Sequence, residues 1–330
     1  MSYLTRHLSE LARLIDEEIK KLIPKGDYPN LYDGVEYAIF SAGKRLRPIM
    51  CLLVCKTLGG GIHRALPVAA AIEIMHNATL VHDDIEDGDK IRRGKPTVWK
   101  VFGTPHATNI GDAMIFKSYE SVFNSNLSER KKANIASKLT KTLLEIIEGQ
   151  NMEFNFRERD DVAVGEYLKM AKKKAGLLFG FSLAAGANMA GASEQIQSLL
   201  YEFGSEVGLA FMIQDDVLNI IGEEEKYGKE IGGDIKEGKR TLMIIDCLSK
   251  CNKNEKERLL TILKKKRENV SSEDVKYAIQ LLKKYGSIKF AQNYSKNLVL
   301  NAKKRLGDLD NDKLRKLLEE FSEFVIKREF

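Results

Sequence analysis

Proline is scarce in this chain, with six residues in 330, and tryptophan occurs once. A sequence so poor in helix breakers, and rich in Leu, Lys, Glu and Ala, can sustain long helices. Cysteine is equally sparse: four residues, arranged as Cys51/Cys55 and Cys247/Cys251 in the apolar runs IMCLLVC and IIDCLSKC. That number excludes a disulfide scaffold. No histidine stands beside either pair to complete a zinc site, so both pairs read as small buried hydrophobes. No apolar run reaches the length that crosses a bilayer, which argues against an integral membrane protein. The opening MSYLTRHLSELARLIDEEIKKLI carries acidic groups and lacks the basic-then-apolar order of a secretory leader, so a cytoplasmic protein is expected.

Charge is present in quantity but without strong bias. The net value is +6, with basic runs at Lys264-Lys265-Lys266-Arg267 and Lys303-Lys304-Arg305. Aromatic residues are not interleaved with them, so solvated helix faces are expected and nucleic acid is not.

Apolar residues recur at spacings of three and four nearly throughout. The pattern predicts helices over 3–23, 30–42, 45–58, 64–83, 106–124, 129–155, 164–171, 174–190, 193–221, 238–250, 254–266, 271–292, 293–306 and 310–327. Breaks fall at glycine and proline clusters, among them Gly59-Gly60-Gly61, Arg93-Gly94-Lys95-Pro96 and Gly228 to Gly233. Ser128 before Glu129, and Ser271-Ser272-Glu273, have the form of helix N-caps. Strand signals are sparse, and no Gly/Ser-rich linker or short repeat divides the chain. One all-α domain covering residues 1–330 is expected, with 64–83 and 193–221 as its central helices because both are apolar on more than one face.

Against that apolar background stand two aspartate pairs, Asp83-Asp84 in LVHDDIED and Asp215-Asp216 in FMIQDDVLN. Adjacent carboxylates repel and are costly to desolvate, so two such pairs inside apolar helices need a common purpose. Asp83 and Asp87 lie one helical turn apart on one face, as do Asp215 and Asn219. Oxygen ligands at that spacing suit hard divalent cations such as Mg²⁺, which retain positions for phosphate oxygens. Asn219 offers an oxygen without charge, so the second motif is expected to bind metal more weakly. Basic segments accompany the pairs: Gly43-Lys44-Arg45-Leu46-Arg47-Pro48, Arg92-Arg93-Gly94-Lys95-Pro96 and Gly238-Lys239-Arg240. Arginine grips phosphate through its planar fork and lysine acts as a point charge. Paired carboxylates with basic loops fit two polyphosphate substrates, one held through metal and one directly by cations.

These motifs, in this order, resemble the trans-polyprenyl diphosphate synthase family over nearly the whole chain. The resemblance rests on GKRLRP at 43–48, DDIED at 83–87, RRGKP at 92–96, GD at 111–112, EGQ at 148–150, GKEIGGD at 228–234 and EGKRTL at 237–242. It implies an all-α bundle with a central cavity, faced by both acidic motifs, in a homodimer. The implied reaction is Mg²⁺-dependent, head-to-tail condensation of isopentenyl diphosphate with an allylic diphosphate. By the same resemblance Asp83, Asp84 and Asp87 hold two Mg²⁺ and Asp215 a third, supported by Asp216 and Asp234. Arg92, Lys174 and Lys229 contact the allylic diphosphate, with Lys239 nearby, and Lys44, Arg47, His76 and Arg93 bind isopentenyl diphosphate. The chain departs from the family pattern at Asn219, at Met212 in place of Gln, at Ala175 in place of Thr and at Glu153 in place of Asp.

The resemblance also implies a product-length ruler. Bulky residues four and five positions before the first aspartate favour C15 products in the family, and Thr79 and Ala78 are small. Met75 lies a turn deeper, and Phe116 and Tyr119 are candidates for a floor. Geranylgeranyl diphosphate (C20) is the expected product, with C25–C30 or farnesyl diphosphate as alternatives. A non-catalytic subunit of a heteromeric synthase is the alternative of another class. A terpene cyclase would not need Lys44, Arg47 and Arg93.

Overall fold

The computed structural model describes residues 3–24, 26, 28–41, 43–223 and 230–326. Among them the only strands are β1 (Ile91–Arg92) and β2 (Lys95–Pro96), paired antiparallel as Ile91 with Pro96 and Arg92 with Lys95. The rest of the regular structure is helical, as expected. The described residues cluster into two compact units, each gathered from three separated stretches of chain.

The first unit comprises Met1–Thr142, Leu178–Gly204 and Leu306–Phe321. It holds α1 (Tyr3–Lys20), α2 (Leu31–Phe40), α3 (Leu46–Thr57), α4 (Ile62–Asp87), the hairpin, α5 (Val98–Phe102), α6 (Thr104–Phe123), the beginning of α7 (Glu129–Arg157) and α9 (Leu177–Ala190). Its centre is α4. Ala65, Val68 to Met75, Ala78 and Val81 are buried on nearly every side of that helix, as an all-round apolar helix requires. α3, α6 and α1 pack against it. Glycines permit the closest approaches: a Cβ on Gly186 of α9 would lie 2.3 Å from the Cys51 carbonyl oxygen of α3.

The second unit comprises Leu143–Leu177, Ser205–Arg305 and Ser322–Phe330. It holds the end of α7, α8 (Val164–Ala171), most of α10 (Glu194–Ile221), α11 (Gly233–Lys236), α12 (Leu242–Lys250), α13 (Lys253–Leu263), α14 (Ser272–Lys284) and α15 (Ser287–Arg305). The last helix, α16 (Asp312–Ile326), begins in the first unit. Tyr167, Ile213, Val217, Leu242 to Leu248, Leu259 and Leu282 build the second core. Helix starts are chemically marked. The Thr241, Asn252 and Ser271 side chains accept from Ile244, Glu255 and Asp274 N–H, and α7 starts directly after Ser128.

Several boundaries differ from the periodic reading. α4 runs four residues past Asp83, to Asp87, and stops where Gly88 adopts φ 67° and closes back on the Asp84 and Ile85 carbonyls. The segment predicted as 174–190 opens with a π-helical turn, Lys172–Gly176, before α9. The predicted 271–292 helix ends earlier, at Lys284, because Gly286 sits at φ 68°. The hairpin and α5 fall where no element is predicted. The four cysteines are thiols, and Cys51, Cys55 and Cys247 are buried, in line with a packing role. No described helix is long and apolar enough to cross a membrane.

The glycine contacts give a paired test. Gly186→Ala drives a methyl into a backbone carbonyl and should destabilise by ~1–3 kcal/mol. Gly165→Ala, at a helical position with open space around its Cβ, should be neutral or stabilise by up to about 1 kcal/mol. Thermal unfolding of both variants measures the difference.

Candidate functional site

In the first unit the acidic motif occupies the last two turns of α4. Asp84 and Asp87 are 3% and 5% exposed, while Asp83 is more open. The chain reverses at Gly88, and the hairpin carries Arg92 back over the motif. Arg92 Nε donates to Asp84 Oδ1 at 2.5 Å, Nη2 donates to Asp83 Oδ2 at 3.1 Å, and Asp89 Oδ2 lies 3.8 Å away. Burial alone would lower the Arg92 pKa, but Asp84, Asp83 and Asp89 drive it above the usual arginine range. The first pair therefore has a fixed cationic neighbour. A glycine at Gly111 lets α6 approach this end of α4, since a Cβ there would sit 2.2 Å from His82 Nε2.

Beside it lies the predicted isopentenyl diphosphate set. Arg47 Nη1 donates to His76 Nε2 at 3.2 Å, and its guanidinium stacks 3.9 Å from the Phe179 ring centroid. Burial, then Arg47, Arg93, Arg92 and Arg45, hold the His76 pKa well below its ordinary 6.5. A neutral ring accepting at Nε2 carries its proton on Nδ1. Arg93 has φ 53°, and its Nη1 donates to Asn77 Oδ1 at 3.4 Å. Lys44 is exposed in the turn before α3.

Arg45, read from sequence as part of a phosphate-gripping loop, has a different job. It is 5% exposed, with φ 51°, and donates to Asp16 Oδ1 at 2.8 Å, Glu73 Oε1 at 3.1 Å and the Ile39 carbonyl at 2.6 Å. Glu73, 2% exposed, also accepts from Asn77 Nδ2 at 2.9 Å. A buried pair of this kind is costly to break, about 3–5 kcal/mol when one partner is removed. Arg45 thus anchors the turn that presents Lys44 and Arg47. Gly43 lies so close that a Cβ would meet the guanidinia of Arg45 and Arg93 at 2.6 and 2.9 Å.

In the second unit Asp215 and Asp216 project from α10. The hydroxyl of fully buried Tyr167 donates to Asp216 Oδ2 at 2.6 Å. Burial, then Asp234, raises the Asp216 pKa well above the carboxylate range. Asp234, on α11, accepts from Lys239 Nζ at 3.3 Å. Glu153 is 3% exposed and collects cations: Lys174 Nζ at 2.8 Å, Arg157 Nη2 at 3.3 Å and Lys239 Nζ at 3.7 Å. The π-helical turn carries Lys174 and Ala175, and its packing is tight. A Cβ on Gly149 would come within 2.8 Å of the Lys174 backbone nitrogen. π-helical turns frequently mark functional positions. Met212 and Gln214 are half-buried on α10. Arg240 locks loops together, donating to the Arg159 and Gly238 carbonyls at 2.8 and 2.7 Å. Lys229 lies outside the described residues.

Sequence reasoning missed Tyr167, Glu73 and Asn77 as supports of the site residues, because the partners that give them that role, Asp216, Arg45 and Arg93, are distant in sequence. The proposed ruler positions all lie in the first unit. Met75 and Ala78 are fully buried on α4 and Thr79 partly so. Tyr119 is half-buried, with its hydroxyl 2.7 Å from Thr140 Oγ1, and Phe116 is 74% exposed, so within a single chain it closes no wall.

The donor set can be tested against a divalent cation. Among the described residues no three His, Cys, Asp or Glu side chains converge as a ready metal cage. The available carboxylates are hard oxygen donors with Arg and Lys around them. That suits Mg²⁺, which binds through one or two carboxylates, waters and substrate phosphates rather than an all-protein cage.

The low His76 pKa has a consequence for stability. A neutral buried imidazole binds fewer protons than the unfolded chain, so its contribution is intact above about pH 6.5 and fades as the pH falls below that value. His76→Gln should flatten the loss of thermal stability between about pH 7 and 5.5, measured by midpoints across that range.

The polyprenyl synthetase family model matches residues 28–282 of this chain. The short chain isoprenyl diphosphate synthase of Methanocaldococcus jannaschii is 41% identical over 319 residues, covering 96% of this chain and 94% of that protein. The geranylgeranyl pyrophosphate synthase of Geoglobus acetivorans is 36% identical, covering 98% of each. Among solved structures, the geranylgeranyl pyrophosphate synthetase of Pyrococcus horikoshii Ot3 superposes with a TM-score of 0.89 at 38% identity, covering 99% of this chain and 98% of that one. Motif order, helical architecture and matched length agree, and the chain belongs to the polyprenyl synthetase family.

Proposed function

We propose that this protein is an all-trans prenyltransferase that condenses isopentenyl diphosphate with an allylic diphosphate and releases mainly geranylgeranyl diphosphate. The carrying observation is the presence of oxygen-only acidic motifs on α4 and α10 together with half-buried arginines and lysines. Such a set stabilises polyphosphate charge and offers no protein nucleophile, which suits a reaction driven by positioning and leaving-group stabilisation.

In this reading residues 1–330 serve as one polyprenyl synthase domain. Asp83, Asp84, Asp87 and Asp215 would hold three Mg²⁺, with Asp216 and Asp234 in support. Bound Mg²⁺ supplies neutralisation of the departing diphosphate. Arg92, Lys174, Lys229 and Lys239 grip the allylic diphosphate, and Arg92 trades part of its hold on the aspartates for phosphate oxygens. Lys44, Arg47 and Arg93 grip isopentenyl diphosphate, and neutral His76 fixes the Arg47 fork. The allylic C–O bond breaks, the isopentenyl double bond attacks the allylic carbon, and the released diphosphate takes the leaving proton.

Phe116 and Phe123, two turns apart on α6, are 74% and 50% exposed. Apolar surface of this kind fits cover by a second copy, so we include a homodimer in the proposal. Phe116 would act as a product floor only once that copy covers it. Within one chain the ruler is α4 itself, whose rise of ~5.4 Å per turn is on the scale of one isoprene unit. A cytoplasmic location completes the reading.

Asp83→Ala should reduce turnover by about 10²-fold or more, the scale for losing transition-state charge stabilisation. Near-normal condensation in a Mg²⁺ assay with isopentenyl diphosphate and each allylic primer would sink the proposal. Ala78→Phe should move the product toward C15, read by chromatography of the dephosphorylated prenols.

A further inference from the structure

Asn219 ends the second acidic motif, one turn after Asp215, at a position where a weak metal ligand is the obvious expectation. Its surroundings point elsewhere. The residue is 4% exposed, and both ends of its amide are committed to backbone. Asn219 Nδ2 donates to the Glu230 carbonyl at 3.2 Å, and Oδ1 accepts the Asp234 N–H at 3.1 Å. Its own carbonyl accepts the Gly232 N–H at 2.7 Å. The partners fix the orientation of the amide, since a carbonyl needs the NH₂ end and an N–H needs the oxygen. Turning Oδ1 toward a cation would break both side-chain bonds.

We propose that Asn219 is a clasp, a positioning residue that holds the 230–234 turn so that Asp234 and Lys239 stand in place for the allylic diphosphate. This rests on the reading above that those two residues serve that substrate. The turn is tightly built. Gly232 has φ 76°, and a Cβ there would lie 2.4 Å from Val275 Cγ1. From the opposite side, Glu230 is tied by its carboxylate to Arg267 at 3.2 Å. Position is passed onward through Asp234, whose carbonyl accepts the Lys239 N–H at 3.0 Å and whose Oδ1 accepts Lys239 Nζ at 3.3 Å.

The clasp requires an amide. A carboxylate at position 219 keeps an acceptor for the Asp234 N–H but sets its second oxygen against the Glu230 carbonyl, acceptor against acceptor in a buried place. Restoring the aspartate usual in the family should therefore harm this chain rather than improve its metal binding.

Asn219→Asp and Asn219→Ala make the test, because the two readings give opposite signs. A clasp predicts that both variants raise the half-saturating Mg²⁺ concentration and the allylic KM by about tenfold, the weight of one or two net hydrogen bonds. The KM for isopentenyl diphosphate should stay within about twofold of wild type, since that substrate is held by other residues and loses none of these hydrogen bonds. A metal ligand predicts that Asn219→Asp lowers the half-saturating Mg²⁺ while Asn219→Ala raises it. Amide hydrogen exchange over 231–236 in protein without ligands is the second readout, and both variants should exchange faster there. Isothermal titration of Mg²⁺ with inorganic diphosphate should show the same weakening. Opposite signs, unchanged exchange, or faster exchange with unaltered allylic KM each overturn the clasp. If wild-type protein exchanges as described but condenses no substrate, the prenyl-transfer reading fails while the exchange arm still decides the clasp.

Discussion

A carboxylate placed in an apolar helix must be met by positive charge or a hydrogen-bond donor, and much of the polar organisation here answers that demand. Asp83 and Asp84 are met by Arg92, Glu73 by Arg45, Asp216 by Tyr167, and Glu153 by Lys174 and Arg157. In an interior of low dielectric each unmet charge would cost several kcal/mol, so each pairing constrains where its helix can sit. The balancing groups are also those that polyphosphate chemistry uses. In the proposed reaction a cationic fork held against aspartates would already stand beside the allylic diphosphate. The same electrostatics therefore hold the fold and prepare the site.

The sequence made some of this legible. Helical class followed from periodicity and the lack of proline. The acidic and basic motifs followed from residue type and spacing, since adjacent carboxylates in apolar runs are too costly to keep without a cation to bind. Residues whose meaning depends on a distant partner were not legible. Tyr167 reads as a core aromatic until Asp216 is found beside it, 49 positions away. Arg45 looks like its neighbours Lys44 and Arg47, yet it is buried and structural while Lys44 is exposed. The π-helical turn at Lys172–Gly176 leaves no mark on a pattern of threes and fours. Asn219 was the instructive case. Its type suggested a weakened ligand, but its hydrogen bonds engage donor and acceptor together, a property no periodicity can reveal.

Similar economy governs the basic side. Burial, and then the surrounding arginines, keep His76 neutral, and a neutral imidazole can accept from Arg47 without adding repulsion to a crowded cationic patch. The aromatic face of Phe179 supports the same guanidinium from another direction. The imidazole and the aromatic ring together set the direction of the Arg47 fork.

The first unit draws on residues far apart in the chain: Phe179 from α9 packs against Phe321 from α16, their ring centroids 5.7 Å apart. During synthesis Phe179 is made well before Phe321, which stands on the last described helix. The Phe179 ring therefore lacks this partner until almost the last helix emerges, a window in which chaperone binding competes with self-association. The interleaved order of helices thus sets a vectorial problem: each unit includes chain beyond residue 305, so neither is complete until synthesis is nearly finished.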